Sequence, residues 1–549
     1  MKKILALVLA LAMVMALSMT ALADGEIVSL MYGGGTPESM DPALNSASTG
    51  SNLIRLAFSG LMGTRVTDGV VTKEPELAES YTISDDGLVY TFTLREGLKW
   101  SDGSDFFASD VVKSWNRAAS EELGASYGFL FDVIDNTDPH VFKTAIMNGG
   151  YEAAFRGLRT CTENAAKNGC NVPWIILFDP TSACNKHCVG CWAADYGNRL
   201  NLTYDECDKL ITEASALGTH LFMLTGGEPL VRKGDVLKLA EKHDDCIFNI
   251  FTNASLVDEA FCQKVQELGN IVFSVSLESY EASVNDGRRG AGSFEEVMHA
   301  FDLMHAHGLL YGTSTCYTRA NTERVSSDQF FQLLVDKGCR WAWYFHYMPV
   351  GEGASADLMP TPEQREYMFH RIREVRGFEG GYPIFAMDFQ NDGEFVGGCI
   401  AGGRIYCHVN ARGDVEPCVF IHYSNANIRD GAWVDCLKQP MFQAYRSRYP
   451  WNDNMLQPCP MLENPTILPE MVKEAGAHCT EYVTPVTPES IEERTAPYAA
   501  SWAPTANKLW LEEHPTGKKV FNDGVNDLDP EEKVRRMKAN DEEREAVLD

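Results

Sequence analysis

Cys184, Cys188 and Cys191 fall within eight positions of the stretch TSACNKHCVGCWAADYG, residues 181–197, and no fourth cysteine stands nearby. A tetrahedral structural metal site wants four ligands. A four-iron cluster can instead take three thiolates on three of its irons and leave the fourth iron to an exogenous chelator. The competing reading is a zinc site that borrows His187 or a distant cysteine as its fourth ligand. A second candidate set comes from VFSVSLES: Ser274, Ser276 and Glu278 share one face of an extended segment, and Phe273, Val275 and Leu277 share the other. A polar face turned into a small barrel needs a polar partner, either the ribose and carboxylate of a cofactor or water. Thr252 and Asn253, ending the preceding strand-like run, are candidates of the same kind.

These residues need a frame, and the sequence predicts one. Six apolar strand-like runs begin at residues 174, 220, 246, 270, 309 and 339, with helical segments between them. Capping boxes are expected at Thr203 with Glu206, Ser293 with Glu296, and Thr361 with Gln364, the last followed by Pro362 at the first helical position. Gly218, Gly308 and Gly338 stand where helices should stop. Phe294, Val297, Met298, Phe301 and Met304 recur at helical spacing as one buried stripe. The alternation implies an α/β fold with a parallel sheet, a partial (β/α)6 barrel of the TIM type, and the triplet follows its first strand at the C-terminal end, where such barrels do chemistry. Cys207, Cys246, Cys262, Cys316, Cys339, Cys407 and Cys436 read as buried small hydrophobes, and His305 and His346 as core histidines. The aromatic run WAWYFHYMP, 341–349, lines a pocket or is core.

The CxxxCxxC spacing of CNKHCVGC, followed on the next strand by TGGEP at 225–229, resembles the radical SAM enzymes. The resemblance implies that Cys184, Cys188 and Cys191 hold a [4Fe-4S] cluster whose free iron chelates S-adenosylmethionine. It also implies that Gly226, Gly227 and Glu228 line the methionine end, the glycines permitting close approach and the carboxylate accepting from the ammonium. One-electron reduction would then cleave the cofactor to a 5′-deoxyadenosyl radical that abstracts hydrogen from a substrate, which the sequence leaves open among peptide, lipid and metabolite. A reductant such as flavodoxin or ferredoxin is the implied partner. One departure is Gly190, where the family often has an aromatic residue, with Trp192 after Cys191 instead. Downstream, Cys399, Gly413, Cys418 and Cys459 resemble the start of a SPASM or twitch extension, in a small irregular C-terminal part that lacks the expected dense run of cysteines. Either one auxiliary iron-sulfur cluster on Cys399, Cys418 and Cys459, with Cys479 as a further candidate, or structural thiols would account for them.

The N-terminal part reads differently. Residues 1–23 have two lysines, an apolar run and Ala21-Leu22-Ala23, the pattern of a secretory signal peptide, with an uncleaved anchor as the alternative. No later stretch is long and apolar enough to span a bilayer. Residues 88–118 read as a strand, a turn at Ser101-Asp102-Gly103 and an amphipathic helix carrying Val111, Val112 and Trp115. With GGGTPESMDPALNSAS upstream, this α+β fragment resembles family 5 solute-binding proteins of oligopeptide ABC importers over about residues 24–133. An extracytoplasmic peptide-binding role for this fragment is therefore the alternative function, although it is too short to build two lobes. The expected division is a signal peptide (1–23), truncated solute-binding-like fragment (24–133), helical lead-in (134–173), radical SAM core (174–380), SPASM-like extension (381–510) and charged tail (511–549). A net charge of −30 argues against nucleic acid as partner. All 16 cysteines lie between Cys161 and Cys479, which fits a reducing cytoplasm for the catalytic part and conflicts with export. A fused or chimeric gene model, joined near residues 133–140, resolves the conflict.

Overall fold

A computed structural model describes residues 58–67, 70–84, 89–118, 132–193, 199–351, 353–377, 381–483 and 485–514, together with Pro42 and Ile54. The signal-like residues 1–23, the motif at 33–48 apart from Pro42, and the tail beyond residue 514 lie outside the described residues. Among the described residues no helix is long and apolar enough to cross a membrane.

The N-terminal part forms two antiparallel hairpins, β1 (Met62–Thr67) with β2 (Val70–Pro75) and β3 (Ala78–Ile83) with β4 (Tyr90–Leu94). The expected helix forms over Ala108–Ala118, yet none of its residues is buried and Trp115 is 61% exposed. From residue 132 the described chain packs against the barrel. Asp138 caps helix Pro139–Ala145 by accepting from the amides of His140 and Val141, and its own amide donates to Gly308 O at 2.9 Å. Gln266 donates to the other Asp138 oxygen at 3.0 Å. A π-helix, Ile146–Gly157, and helix Leu158–Asn168 continue across the same surface, where Trp174 donates to Ala153 O at 2.8 Å.

The six predicted runs are the six parallel strands β5 (Ile175–Phe178), β6 (Leu221–Leu224), β7 (Ile247–Thr252), β8 (Ile271–Ser276), β9 (Tyr311–Tyr317) and β10 (Trp341–His346). The sheet does not stop at six. β11 (Phe385–Asp388) adds parallel to β10, while β12 (Tyr406–Val409) adds parallel to β5 and carries β13 (Val415–Glu416) antiparallel. The C-terminal part therefore takes up both open edges of the barrel sheet, whose unpaired backbone groups would otherwise need other partners. The remainder of that part has a short pair, β14 (Tyr423–Ser424) and β15 (His478–Cys479), and a long helix, Pro488–Glu513, that buries Trp502 and Trp510.

Local signals mostly act as their chemistry requires. Thr203–Glu206 and Thr361–Gln364 form complete capping boxes, and Gly218, Gly308 and Gly338 all have positive φ at the helix ends. Ser293 and Glu296 do not form one. Gly292 is the cap, while Lys186 from the cysteine loop donates to Ser293 Oγ at 3.1 Å and pairs with Glu296 at 2.6 Å. A lysine reaching across space has taken both groups that a local cap would have used. Phe273, Val275 and Leu277 join the core between sheet and helices, with Val297, Phe301 and Met304. Each such side chain contributes about 1.5–3 kcal/mol on burial. Of the cysteines assigned to the core, Cys316 is only half-buried, and His305 is exposed.

Candidate active site

β5 delivers the chain to the cysteine loop, and β6 holds that loop down. Thr225 N donates to Phe178 O at 3.1 Å, Gly227 N to Thr181 O at 3.0 Å and Glu228 N to Ala183 O at 2.8 Å, a backbone ladder continued beyond the strand ends. The two glycines are needed for this approach. A Cβ on Gly226, where φ is +106°, would lie 2.5 Å from Thr181 O, and one on Gly227 would overlap the carbonyl of Ala183. Elsewhere Asn185 donates to Ser255 Oγ at 2.7 Å and accepts from Asn253 at 2.9 Å. Val189 N donates to Arg288 O at 2.9 Å, and Arg288 also donates to Val189 O and Cys316 O, each at 3.2 Å. Gly190 turns the loop at φ +68°, and a Cβ there would meet Tyr347 Cε2 at 2.9 Å. The Tyr347 ring packs against the loop at this glycine.

Cys184 is exposed and Cys188 and Cys191 are half-buried, all three lining a cavity of about 190 Å³ at the C-terminal ends of the strands. The same wall holds Gly226, Gly227, Glu228, Thr252, Asn253 and Ser276. Ser274 and Glu278 are not in it. Ser274 lies one layer deeper, donating to Asn249 at 3.0 Å and accepting from Trp341 at 3.1 Å. Glu278 lies past the end of β8, 1% exposed, paired with Arg288 at 2.9 Å and with Arg289. Glu228 is also spoken for: its carboxylate accepts from Thr252 Oγ1 at 2.7 Å, Asn253 N at 2.8 Å and Leu230 N at 3.0 Å, bracing the ends of β6 and β7. Burial nevertheless raises its pKa above the ordinary carboxylate value.

Sequence reasoning did not single out Lys186, Arg288, Arg289 or Phe420, which also line the cavity, and it assigned Cys316 to the core. The available signal for the arginines was Glu278 itself, since a buried carboxylate demands a cation and Arg288-Arg289 closes the next helix. In the run 341–349 Ala342, Tyr344 and His346 are buried, Trp341, Trp343 and Phe345 are half-buried, and Phe345, His346, Tyr347 and Met348 line the cavity. His346 is a satisfied core histidine, with ring nitrogens 2.8 Å from Tyr347 O and 2.7 Å from Tyr498 Oη.

In the C-terminal part Cys399, Cys418 and Cys459 come together around Tyr445, each acting electrostatically on its phenol. The Tyr445 hydroxyl is buried and has no hydrogen-bond partner. Cys479 is not among the groups acting on it; that cysteine lies on β15 opposite Tyr423. Sulfur environments divide the cysteines further. Cys184 is approached by the amide of Lys186, Cys191 by Ala193, Cys399 by Ala401, Cys418 by Phe420 and Cys479 by Glu481, always two residues on. Cys459 Sγ accepts from the amides of Met461 and Leu462, each at 3.4 Å. No neighbouring backbone amide of this kind acts on Cys262, Cys339 or Cys407. Amides aimed at sulfur favour the thiolate. Burial outweighs them in the protein alone, pushing Cys184 and Cys399 up to about 11 and Cys418 to about 12, so these thiols ionise only when a cation compensates them.

Residues 178–321 match the Radical SAM superfamily, and residues 72–154 match bacterial extracellular solute-binding proteins, family 5 Middle. Residues 178–321 are therefore a radical SAM domain, of a family that implies a [4Fe-4S] cluster, S-adenosylmethionine and an external reductant. Among its relatives are the AdoMet-dependent heme synthase of Methanosarcina barkeri, 26% identical over 47% of this chain and 80% of that one, and the mycofactocin maturase MftC of Mycolicibacterium smegmatis, 27% identical over 46% and 66%. Streptococcus suis SuiB bound to S-adenosylmethionine is 16% identical, covering 55% of this chain and 75% of that one with a TM-score of 0.45.

Proposed function

We propose that Cys184, Cys188 and Cys191 hold the [4Fe-4S] cluster and that S-adenosylmethionine binds in the adjoining cavity against Gly226, Gly227, Thr252, Asn253 and Ser276. Reduced by a low-potential donor such as a flavodoxin or ferredoxin, cluster and cofactor together supply homolytic cleavage of a carbon–sulfur bond and hydrogen abstraction from substrate. The chain's own residues do the positioning. Gly226 and Gly227 let the β6 end lie flat on the cysteine loop, so the thiols and the cofactor wall move as one body. Glu228 acts as a brace between strands, its oxygens engaged by Thr252, Asn253 and Leu230, and its remaining acceptor capacity faces the cavity. Arg288 and Arg289, neutralised by Glu278, close the loop's other side. Phe251, Phe345 and Phe420 exclude water and favour a substrate with apolar surface.

The observation that carries this reading is the convergence of three thiols, two of them approached by backbone amides, on the cavity that the Gly226–Glu228 segment also lines. Anaerobic reconstitution followed by reduction with S-adenosylmethionine should yield 5′-deoxyadenosine and a broad absorbance near about 400 nm, as cluster thiolates give. Absence of 5′-deoxyadenosine would overturn it.

Cys399, Cys418 and Cys459 are proposed ligands of an auxiliary cluster in a SPASM-like extension. The unpartnered Tyr445 hydroxyl among them supports this, because a buried donor without an acceptor costs about 1–3 kcal/mol and cluster sulfur would accept from it. The family 5 match favours a separate reading for the N-terminal part, capture of peptide. Its exposed Trp115, against the residues from 132 onward that pair with the barrel through Asp132 and Arg340, supports instead a solute-binding-like fragment joined to the barrel. Sequencing the transcript across codons 125–145 decides whether the junction and the signal-like leader belong to one message.

A further inference from the structure

At the opposite end of the barrel, where β6 and β7 begin, three ligand-type side chains converge far from either group of cluster cysteines in the sequence. His220 precedes β6, and Asp245 and Cys246 precede β7. Cys246 Sγ lies 3.8 Å from His220 Nδ1 and 3.5 Å from Asp245 Oδ1, and His220 Nδ1 lies 3.5 Å from Asp245 Oδ2. A tetrahedral zinc with Zn–S of about 2.3 Å and Zn–N and Zn–O of about 2.0–2.2 Å spaces its ligand atoms about 3.3–3.6 Å apart. These contacts lie at or just above that range, the two to Asp245 being made by different carboxylate oxygens, and one ligand atom from each residue lies within 4.8 Å of the others.

Burial and support point the same way. Cys246 is 0% and His220 5% exposed, whereas the Asp245 side chain is 50% exposed and opens the triangle to solvent. The turn that carries Asp245 and Cys246 is fixed from outside. Asn148 of the π-helix donates to Asp244 O at 2.7 Å and Cys246 O at 2.9 Å, and Asn270 donates to Cys246 O at 3.2 Å. Ser215 Oγ, which donates to Ile211 O at 2.8 Å, sits 3.4 Å from Cys246 Sγ and meets a thiolate there by turning that proton toward it. Such outer contacts pre-orient ligands. Thiolate, carboxylate and neutral imidazole together balance a divalent charge.

We propose that His220, Asp245 and Cys246 bind one zinc-class divalent cation with water in the fourth position, a site separate from the iron-sulfur chemistry that fastens the start of β7 and, through Asn148, the π-helix to the barrel. Binding releases the Cys246 thiol proton to solvent, with no change in redox state.

The test uses the full chain with its iron-sulfur clusters reconstituted, so that the cluster cysteines are occupied, then equilibrated with buffered Zn2+ and desalted. The expected result is about one zinc per chain with one sulfur and three nitrogen or oxygen neighbours by zinc-edge X-ray absorption. Cys246→Ser and Asp245→Asn should each lower zinc affinity at least about tenfold while leaving iron content unchanged, and zinc should raise the melting temperature of the parent only. Asp245 is half-exposed, so its variant remains informative if Cys246→Ser does not fold. No retained zinc, a sulfur-only shell, or equal affinity in Asp245→Asn would overturn the proposal. These readouts do not depend on radical chemistry.

Discussion

The two groups of candidate cluster cysteines differ in their surroundings. Cys184, Cys188 and Cys191 border a cavity, with Cys184 exposed, on a loop held by backbone ladders to β6 and by Arg288. Cys399, Cys418 and Cys459 are half-buried against the C-terminal core beside the buried Tyr445 and outside that cavity, and Glu463 of the Arg365–Glu463 ion pair accepts from Cys459 N at 2.8 Å. Openness on one side permits an exogenous ligand. A place outside the cavity on the other suits electron transfer or structure, and the difference follows from where the sheet leaves room rather than from the cysteines themselves.

The largest separation between the two groups should come from their alanine variants. Cys188→Ala is expected to remove about four irons per chain and to lower 5′-deoxyadenosine formation at least about 10³-fold, whereas Cys459→Ala should lose iron yet keep that cleavage within about threefold. Equal effects in an anaerobic cleavage assay would erase the distinction. Next in size is Arg365→Met. Its guanidinium pairs with Glu463 at 2.6 Å, both side chains are fully buried, and it stacks on Trp502 at 4.2 Å. Leaving Glu463 unpaired should cost about 3–5 kcal/mol in denaturant unfolding and loosen the C-terminal thiols first. Gly227→Ala should cost about 1–3 kcal/mol and reduce iron retention at the open group, because the new methyl meets the Ala183 carbonyl.

The smallest effect is a slope. Burial, with Asp392 nearby, raises the pKa of Asp388 on β11 to about 7. The folded state holds a proton there that the unfolded state releases from about pH 4, so this group's contribution to stability is present at low pH and is lost as pH rises from about 4 to 7. Asp388→Asn should flatten the pH dependence by about 1 kcal/mol per unit across that window, measured as the difference from the parent chain. An unchanged slope would place the carboxyl in a more polar setting than its contacts with Tyr317 and Asn391 describe.

Much of the barrel was legible because its information is local. Strand runs, helix-stopping glycines and two of three capping boxes depend on residues a few positions apart, and the third failed when Lys186 reached Ser293 and Glu296 from more than a hundred residues away. β11 and β12 were missed as barrel strands because edge addition is decided by unpaired backbone in space. Among the proposed ligands, alternation placed Ser276 and Ser274 on one face but could not tell that they occupy different depths, nor that Arg288 and Arg289 draw Glu278 past the strand end. The buried group of Asp179, His408, Glu416 and His422 behind Gly226 was invisible for the same reason, its members coming from positions 179 to 422.

The central claim, an iron left open at the triplet for the cofactor, is tested most directly by electron-nuclear double resonance on the reduced protein with S-adenosylmethionine labelled at its amino nitrogen and carboxylate oxygens. The account predicts hyperfine coupling from both labels in the parent chain and in Cys459→Ala, and none in Cys188→Ala. Coupling absent from the parent, or retained in Cys188→Ala, would contradict it.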